Sequence, residues 1–217
     1  MIACPHYLAV PSAGTGPGVL VLHSWWGLND FFRSLCDRLA AAGFVALAPD
    51  LYDGRVARTP ADAKRLRAES TAARRVPVYR TLMSAVGQLA TRGAAPGGRP
   101  VTLWGASMGG HWALWLAQQP ELPVASAVVF YAARNGDFTR SRCRFLFHFA
   151  ESDDWGSAAS VWKMRTSLGA AARPASYHEY PGTTHWFFEQ DRPEAFDGAA
   201  AALAWERSLA FLRAGPG

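Results

Sequence analysis

Lysine is almost missing from this chain of 217 residues: Lys64 and Lys163 are the two lysines among 22 basic residues, and the rest are arginine. With Ala, Gly and Pro abundant, this reads as codon bias before chemistry. Cysteine is scarce as well. The three, at 4, 36 and 143, form no C-x-x-C pair and no metal-ligand spacing, so no metal or other cofactor is expected. Their odd number and wide separation fit free thiols in a reducing compartment. Charged residues are only 18% of the chain, which argues against disorder. No apolar run is long enough to cross a membrane. The first residues, MIACPHYLAV, lack the basic start and apolar run of a secretory signal, so a cytoplasmic protein with no membrane partner is expected. The formal charge of +5 is not gathered as nucleic-acid binding requires. Its densest stretches, Lys64, Arg65, Arg67 and Arg74, Arg75, stand beside Asp62 and Glu69 and read as a solvated helix face.

What is plentiful is apolar sequence: half of the residues are hydrophobic, enough for a sizeable core, and the length suits one domain over residues 1–217. Short apolar runs alternate with longer helical patterns, which predicts an α/β fold with a mostly parallel sheet and helices on both faces. Strands are predicted at Gly18–His23, Phe44–Ala48, Val101–Trp104, Val124–Tyr131, Arg144–Phe149 and Ser176–Tyr180. Helices are predicted at Phe31–Ala42, Val78–Thr91, Gly109–Gln118, Val161–Leu168 and Pro193–Arg213. Residues 52–76, polar and Ala-rich, suggest a helical excursion over the sheet edge, and Gly93–Pro100 a loop.

The strongest chemical signal is Gly105-Ala106-Ser107-Met108-Gly109-Gly110, set between the strand VTLW and a helix. That is the context of a nucleophile elbow, where a tight turn exposes a serine at a strand end and small neighbours are obligatory. The helix N-terminus beneath it favours developing negative charge. The plainer reading is a glycine-rich turn whose serine caps a helix.

A serine hydroxyl needs a base to take its proton, and the partners of an elbow serine follow in the order Ser, acid, His. The strand Arg144–Phe149 runs into Ala150-Glu151-Ser152-Asp153-Asp154, and Ser176–Tyr180 into Pro181-Gly182-Thr183-Thr184-His185. Asp153 is the first choice of acid, with Glu151 or Asp154 as alternatives and a helix cap as its plainer role. His185 is the choice of base. His6 is near the terminus, His23 ends a strand, His111 opens the elbow helix, and His148 and His178 lie within strands. An oxyanion hole needs two backbone N–H groups: that of Met108, after the nucleophile, and one from the loop His23-Ser24-Trp25-Trp26-Gly27, where Trp25 is the choice. Ser24, Trp26, Trp155 and Trp186 are candidates to contact substrate, although these rings would also serve as core aromatics.

The stretches HSWWGLND, LAAAGFVALAPDLYDG, WGASMGG, FHFAESDDW and YPGTTHWFF, in that order, resemble the dienelactone hydrolase family over nearly the whole chain. The resemblance implies an α/β-hydrolase fold without a large cap domain, action on esters or lactones, and Ser107, Asp153 and His185 as triad. The chain departs from the pattern at three points. The defining members use a cysteine where this chain has Ser107. Their loop glutamate is Ser24 here. Their carboxylate-binding arginine after the histidine is missing, the residues being Trp186, Phe187, Phe188 and Glu189.

The expected activity is metal-independent cleavage of a small-molecule ester or lactone by a monomer or homodimer. Neutral aromatic or apolar substrates are expected to outrank carboxylate-bearing ones, unless Arg55, Arg58, Arg65 or Arg67 supplies a charge partner. Thioester cleavage, lactone formation and acyl transfer on the same triad are the near alternatives. A non-catalytic binding protein is the remote one, since binding alone does not call for three such residues in order.

Overall fold

A computed structural model describes residues 6–92 and 99–215, with residues 71–77 described through their backbone alone. Cys4, the Arg74 and Arg75 side chains and most of the predicted loop Gly93–Pro100 fall outside those limits. Among the described residues there are seven strands and five helices: β1 (His6–Ala9), β2 (Gly18–Leu22), α1 (Asp30–Ala41), β3 (Val45–Pro49), α2 (Pro60–Thr91), β4 (Val101–Ala106), α3 (Met108–Ala117), β5 (Val124–Phe130), β6 (Arg144–Ser152), α4 (Ala158–Ala170), β7 (Ala175–Thr184) and α5 (Gly198–Arg213).

The strands form one sheet in the order β1-β3-β2-β4-β5-β6-β7. Only β1 is antiparallel. β2 (GVLVL) and β3 (VALAP) are buried at every position, as expected of central strands covered on both faces. Ring contacts show the two layers of cover. On one face Arg38 of α1 lies 4.1 Å over Trp205 of α5. On the other, Tyr79 of α2 packs on Trp112 and Trp115 of α3. The chain therefore has the α/β-hydrolase architecture read from its sequence.

Local chemistry fixes the ends. Asn29 caps α1 by accepting the Phe32 N–H, and Thr59 caps α2 by accepting that of Asp62. Two readings need correction, and one strand was not predicted. β1 is an edge strand of four residues, too short for its alternation to stand out. α2 is one helix of 32 residues that absorbs most of the excursion and runs through Pro77, so the break read between residues 76 and 78 is not there. α5 starts at Gly198 behind its cap Asp197, and the segment from Pro193 to Phe196 is turns.

Candidate active site

The site is built at the carboxyl ends of the parallel strands, where α/β sheets bind ligands. Ser107 sits between β4 and α3 with φ 52° and ψ −114°. That conformation is strained for a residue with a Cβ, and the turn around it is held on all sides. The Ser107 N–H donates to the Phe130 carbonyl at 3.0 Å, and its carbonyl accepts from the His111 N–H at 3.0 Å. A Cβ on Gly105 would lie 2.4 Å from the Gly109 carbonyl oxygen, and one on Gly109 would lie 2.0 Å from that of Leu22. The glycines flanking the serine are thus required by backbone packing, and the second presses the elbow against the end of β2.

Asp153 follows β6 directly, as His185 follows β7. The His185 Nε2 lies 2.9 Å from the Ser107 Oγ, and its Nδ1 lies 2.8 Å from both carboxylate oxygens of Asp153. A carboxylate at Nδ1 places the ring proton there and leaves Nε2 to accept the serine proton. Burial opposes the charge on Asp153. The His185 hydrogen bond and charge, with the N–H groups of Trp155 and Gly156, outweigh it and hold the carboxyl below its ordinary range. Of the alternative acids, Asp154 is exposed, and Glu151 is exposed and accepts the Gly182 N–H at 2.9 Å. The helix cap of α4 is Ser157.

Ser107, Asp153, His185, Trp25, Trp155 and Trp186 all line one cleft of about 1500 Å³. Trp25 stacks on Trp186, with ring centres 5.8 Å apart, and meets Trp155 edge-on at 4.7 Å. Trp155 is 49% exposed, while Trp25 and Trp186 are buried. Met108 and Trp25 lie on the cleft wall beside the serine. As the first residue of α3, Met108 has an N–H with no acceptor within its helix. Ser24 and Trp26 do not line the cleft, which corrects their assignment as substrate contacts. Ser24 is fully buried, with its hydroxyl donating to Glu189 at 2.8 Å. Trp26 packs against Trp186 and beneath the Arg192 guanidinium.

Two features were hidden from sequence reasoning. Glu189 is fully buried and accepts from the Ser24 and Tyr131 hydroxyls, each at 2.8 Å. Burial pushes its carboxyl up to about 8, against the pull of those two bonds. The cleft lining also carries Lys64, Arg67, Arg134 and Arg165, with the Lys64 ammonium 5.9 Å from the centre of the Trp155 ring. Lys64 and Arg67 belong to the basic stretch read as a solvated helix face, Arg67 being also one of four arginines considered as charge partners, while Arg134 and Arg165 were not singled out.

The sequence profile of the dienelactone hydrolase family matches residues 4–215. The chain belongs to the dienelactone hydrolase family. Protein usf of Aquifex pyrophilus is 31% identical over 215 residues, 95% of this chain and 91% of the relative. An Aquifex aeolicus protein with the provisional name carboxymethylenebutenolidase is 30% identical over 214 residues, 95% of this chain and 91% of its own. Among solved structures, a dienelactone hydrolase-like promiscuous phosphotriesterase from metagenomic libraries superimposes with a TM-score of 0.85 at 20% identity, covering 99% of this chain and 93% of that one. That likeness speaks for the fold. Within the dienelactone hydrolase pattern, the loop position that carries a glutamate in the defining members is Ser24 here, and its hydroxyl meets the carboxyl group of Glu189.

Proposed function

We propose that the protein is a serine hydrolase that cleaves carboxylic esters or lactones through an acyl-enzyme. The observation that carries this reading is the continuous chain from the Ser107 hydroxyl through His185 to Asp153, at 2.9 and 2.8 Å, inside an open cleft. His185 takes the proton as Ser107 attacks the carbonyl, then returns it to the leaving alcohol and activates water for the second half. Asp153 holds the imidazole tautomer and steadies the imidazolium. The N–H groups of Met108 and Trp25 receive the oxyanion. The half-exposed Trp155 leaves the site open to water, which favours hydrolysis over acyl transfer.

The cleft offers a substrate both aromatic rings and cations. Trp25, Trp155 and Trp186 suit an aromatic or apolar group. The expected bias against carboxylates rested on the missing arginine after His185, with Glu189 standing nearby instead. Glu189 is instead buried away from the cleft, and Lys64, Arg67, Arg134 and Arg165 face it, so a substrate carboxylate finds charge partners. A matched pair of esters, one neutral and one carrying a free carboxylate, tests this by kcat/KM. Equal or better turnover of the acid fits the cations of the lining, and a strong preference for the neutral member restores the earlier bias. The mechanism is tested by intact mass after mixing with a p-nitrophenyl ester. An acyl adduct on Ser107 with burst release of nitrophenol is expected, and turnover without burst or adduct, even under rapid quench, contradicts it.

A further inference from the structure

Ser24 is gripped from three directions, and the grip acts on the peptide that joins it to Trp25. The Leu51 N–H, from the loop after β3, donates to His23 Nε2 at 3.1 Å. That bond leaves the ring proton on Nδ1, which donates to the Ser24 carbonyl at 2.7 Å. The Gly27 N–H donates to the same carbonyl at 3.2 Å. On its other side the Ser24 hydroxyl donates to Glu189, which also holds Tyr131, whose ring lies 4.7 Å from that of His185. His23, Ser24 and Glu189 are all completely buried.

The peptide after Ser24 is trans, so the Trp25 N–H points opposite to the Ser24 carbonyl. With that carbonyl fixed by two donors, the N–H is fixed as well. It is fixed close to the elbow, because Gly109 of α3 packs against the Leu22 and His23 carbonyls. We propose that His23 and Glu189 are positioning residues for the oxyanion hole: together they clamp Ser24 so that the Trp25 N–H is aimed beside that of Met108. Neither touches the substrate. The proposal rests on the serine-hydrolase reading above. His23 serves as a neutral ring with one donor and one acceptor, and burial keeps it so by pushing its pKa down.

The test compares His23→Leu, His23→Asn, Glu189→Leu and Glu189→Gln with the native protein. Three quantities are read: kcat, KM, and the affinity for a trifluoromethyl ketone, whose adduct with the serine carries a tetrahedral oxyanion. The leucine variants should lose about 10²–10³-fold in kcat, the usual cost of one oxyanion donor. KM should stay within about threefold, and ketone affinity should fall by the same factor as kcat/KM. Asparagine at 23 can still donate to the Ser24 carbonyl, and glutamine at 189 can still meet both hydroxyls. Each should therefore stand at least about tenfold above its leucine counterpart. A merely structural role would lower the unfolding midpoint and leave ketone affinity untouched in the folded fraction, which would overturn the proposal. If His23→Leu does not fold, Glu189→Leu against Glu189→Gln decides on the same readouts. Ser107→Ala separates the two levels. If it still turns over ester, the serine reading fails. If it is inert while the leucine variants keep native kcat and ketone affinity, the clamp alone fails.

Discussion

At the scale of single residues, the carboxylates of the β6 loop show how much geometry adds to spacing. Glu151, Asp153 and Asp154 stand within four positions, and sequence ranks them only by their distance past a strand end. In the fold, Asp153 meets His185 at 2.8 Å, Glu151 ties down the Gly182 turn and Asp154 faces solvent. Asp153→Asn should therefore lower kcat by about 10⁴-fold, because the amide imposes the wrong imidazole tautomer, whereas Asp154→Asn should stay within a few-fold. Steady-state kinetics on the pair decides it, and the reverse order would move the acid by one residue. Glu189 was out of reach of the sequence because its partners, Ser24 and Tyr131, lie 165 and 58 positions away. Its carboxyl stands at about 8 when folded against an ordinary 4.5, from burial first and then the Asp191 charge, with Ser24, Tyr131 and Arg192 pulling the other way. A raised carboxyl favours the protonated fold. The cost of ionising it is nil below about pH 4.5 and grows until pH passes about 8. Urea unfolding of native protein and Glu189→Gln should diverge over that window, the native protein losing more stability as pH rises. Parallel curves would show that the carboxyl is not raised.

At the scale of elements, the sheet was largely legible because its central strands are short apolar runs punctuated by Gly and Pro. The candidate site was legible because elbow chemistry needs small residues at fixed spacing. The failures have physical causes. The four-residue β1 draws its place from pairing with β3, not from its own pattern. The break read between residues 76 and 78 is not made by the fold, where α2 runs on through Pro77. The clamp on Ser24 was hidden because His23 looks like any residue at the end of a strand until the Leu51 N–H is brought to it. The elbow itself makes a sharp claim at this scale. Gly109→Ala would set a Cβ 2.0 Å from the Leu22 carbonyl oxygen, a backbone atom that cannot turn aside. The variant should lose about 1–3 kcal/mol of stability, the usual range for overpacking, and most of its activity. Native-like urea unfolding together with native kcat would show that the contact is not tight.

At the scale of the whole molecule, one sheet edge gathers an elbow serine, a histidine, an acid and a pair of candidate oxyanion donors from loops after β2, β4, β6 and β7. The dienelactone hydrolase family supplies the frame, and the departure from its cysteine is the main mechanistic claim. The two thiols among the described residues give that claim a first check. Burial pushes both Cys36 and Cys143 up to about 12, so neither offers a thiolate near neutral pH. Iodoacetamide should leave ester turnover unchanged, and inactivation in step with alkylation of Cys36 or Cys143 would count against a serine mechanism. The most direct measurement is active-site labelling with a fluorophosphonate, read by peptide mass spectrometry and paired with the kinetics of Ser107→Ala. A single adduct on Ser107, matched by loss of activity, and an alanine variant that folds but is slower by several orders of magnitude are the predicted results. Label on another residue, or native ester turnover by the alanine variant, would contradict the account.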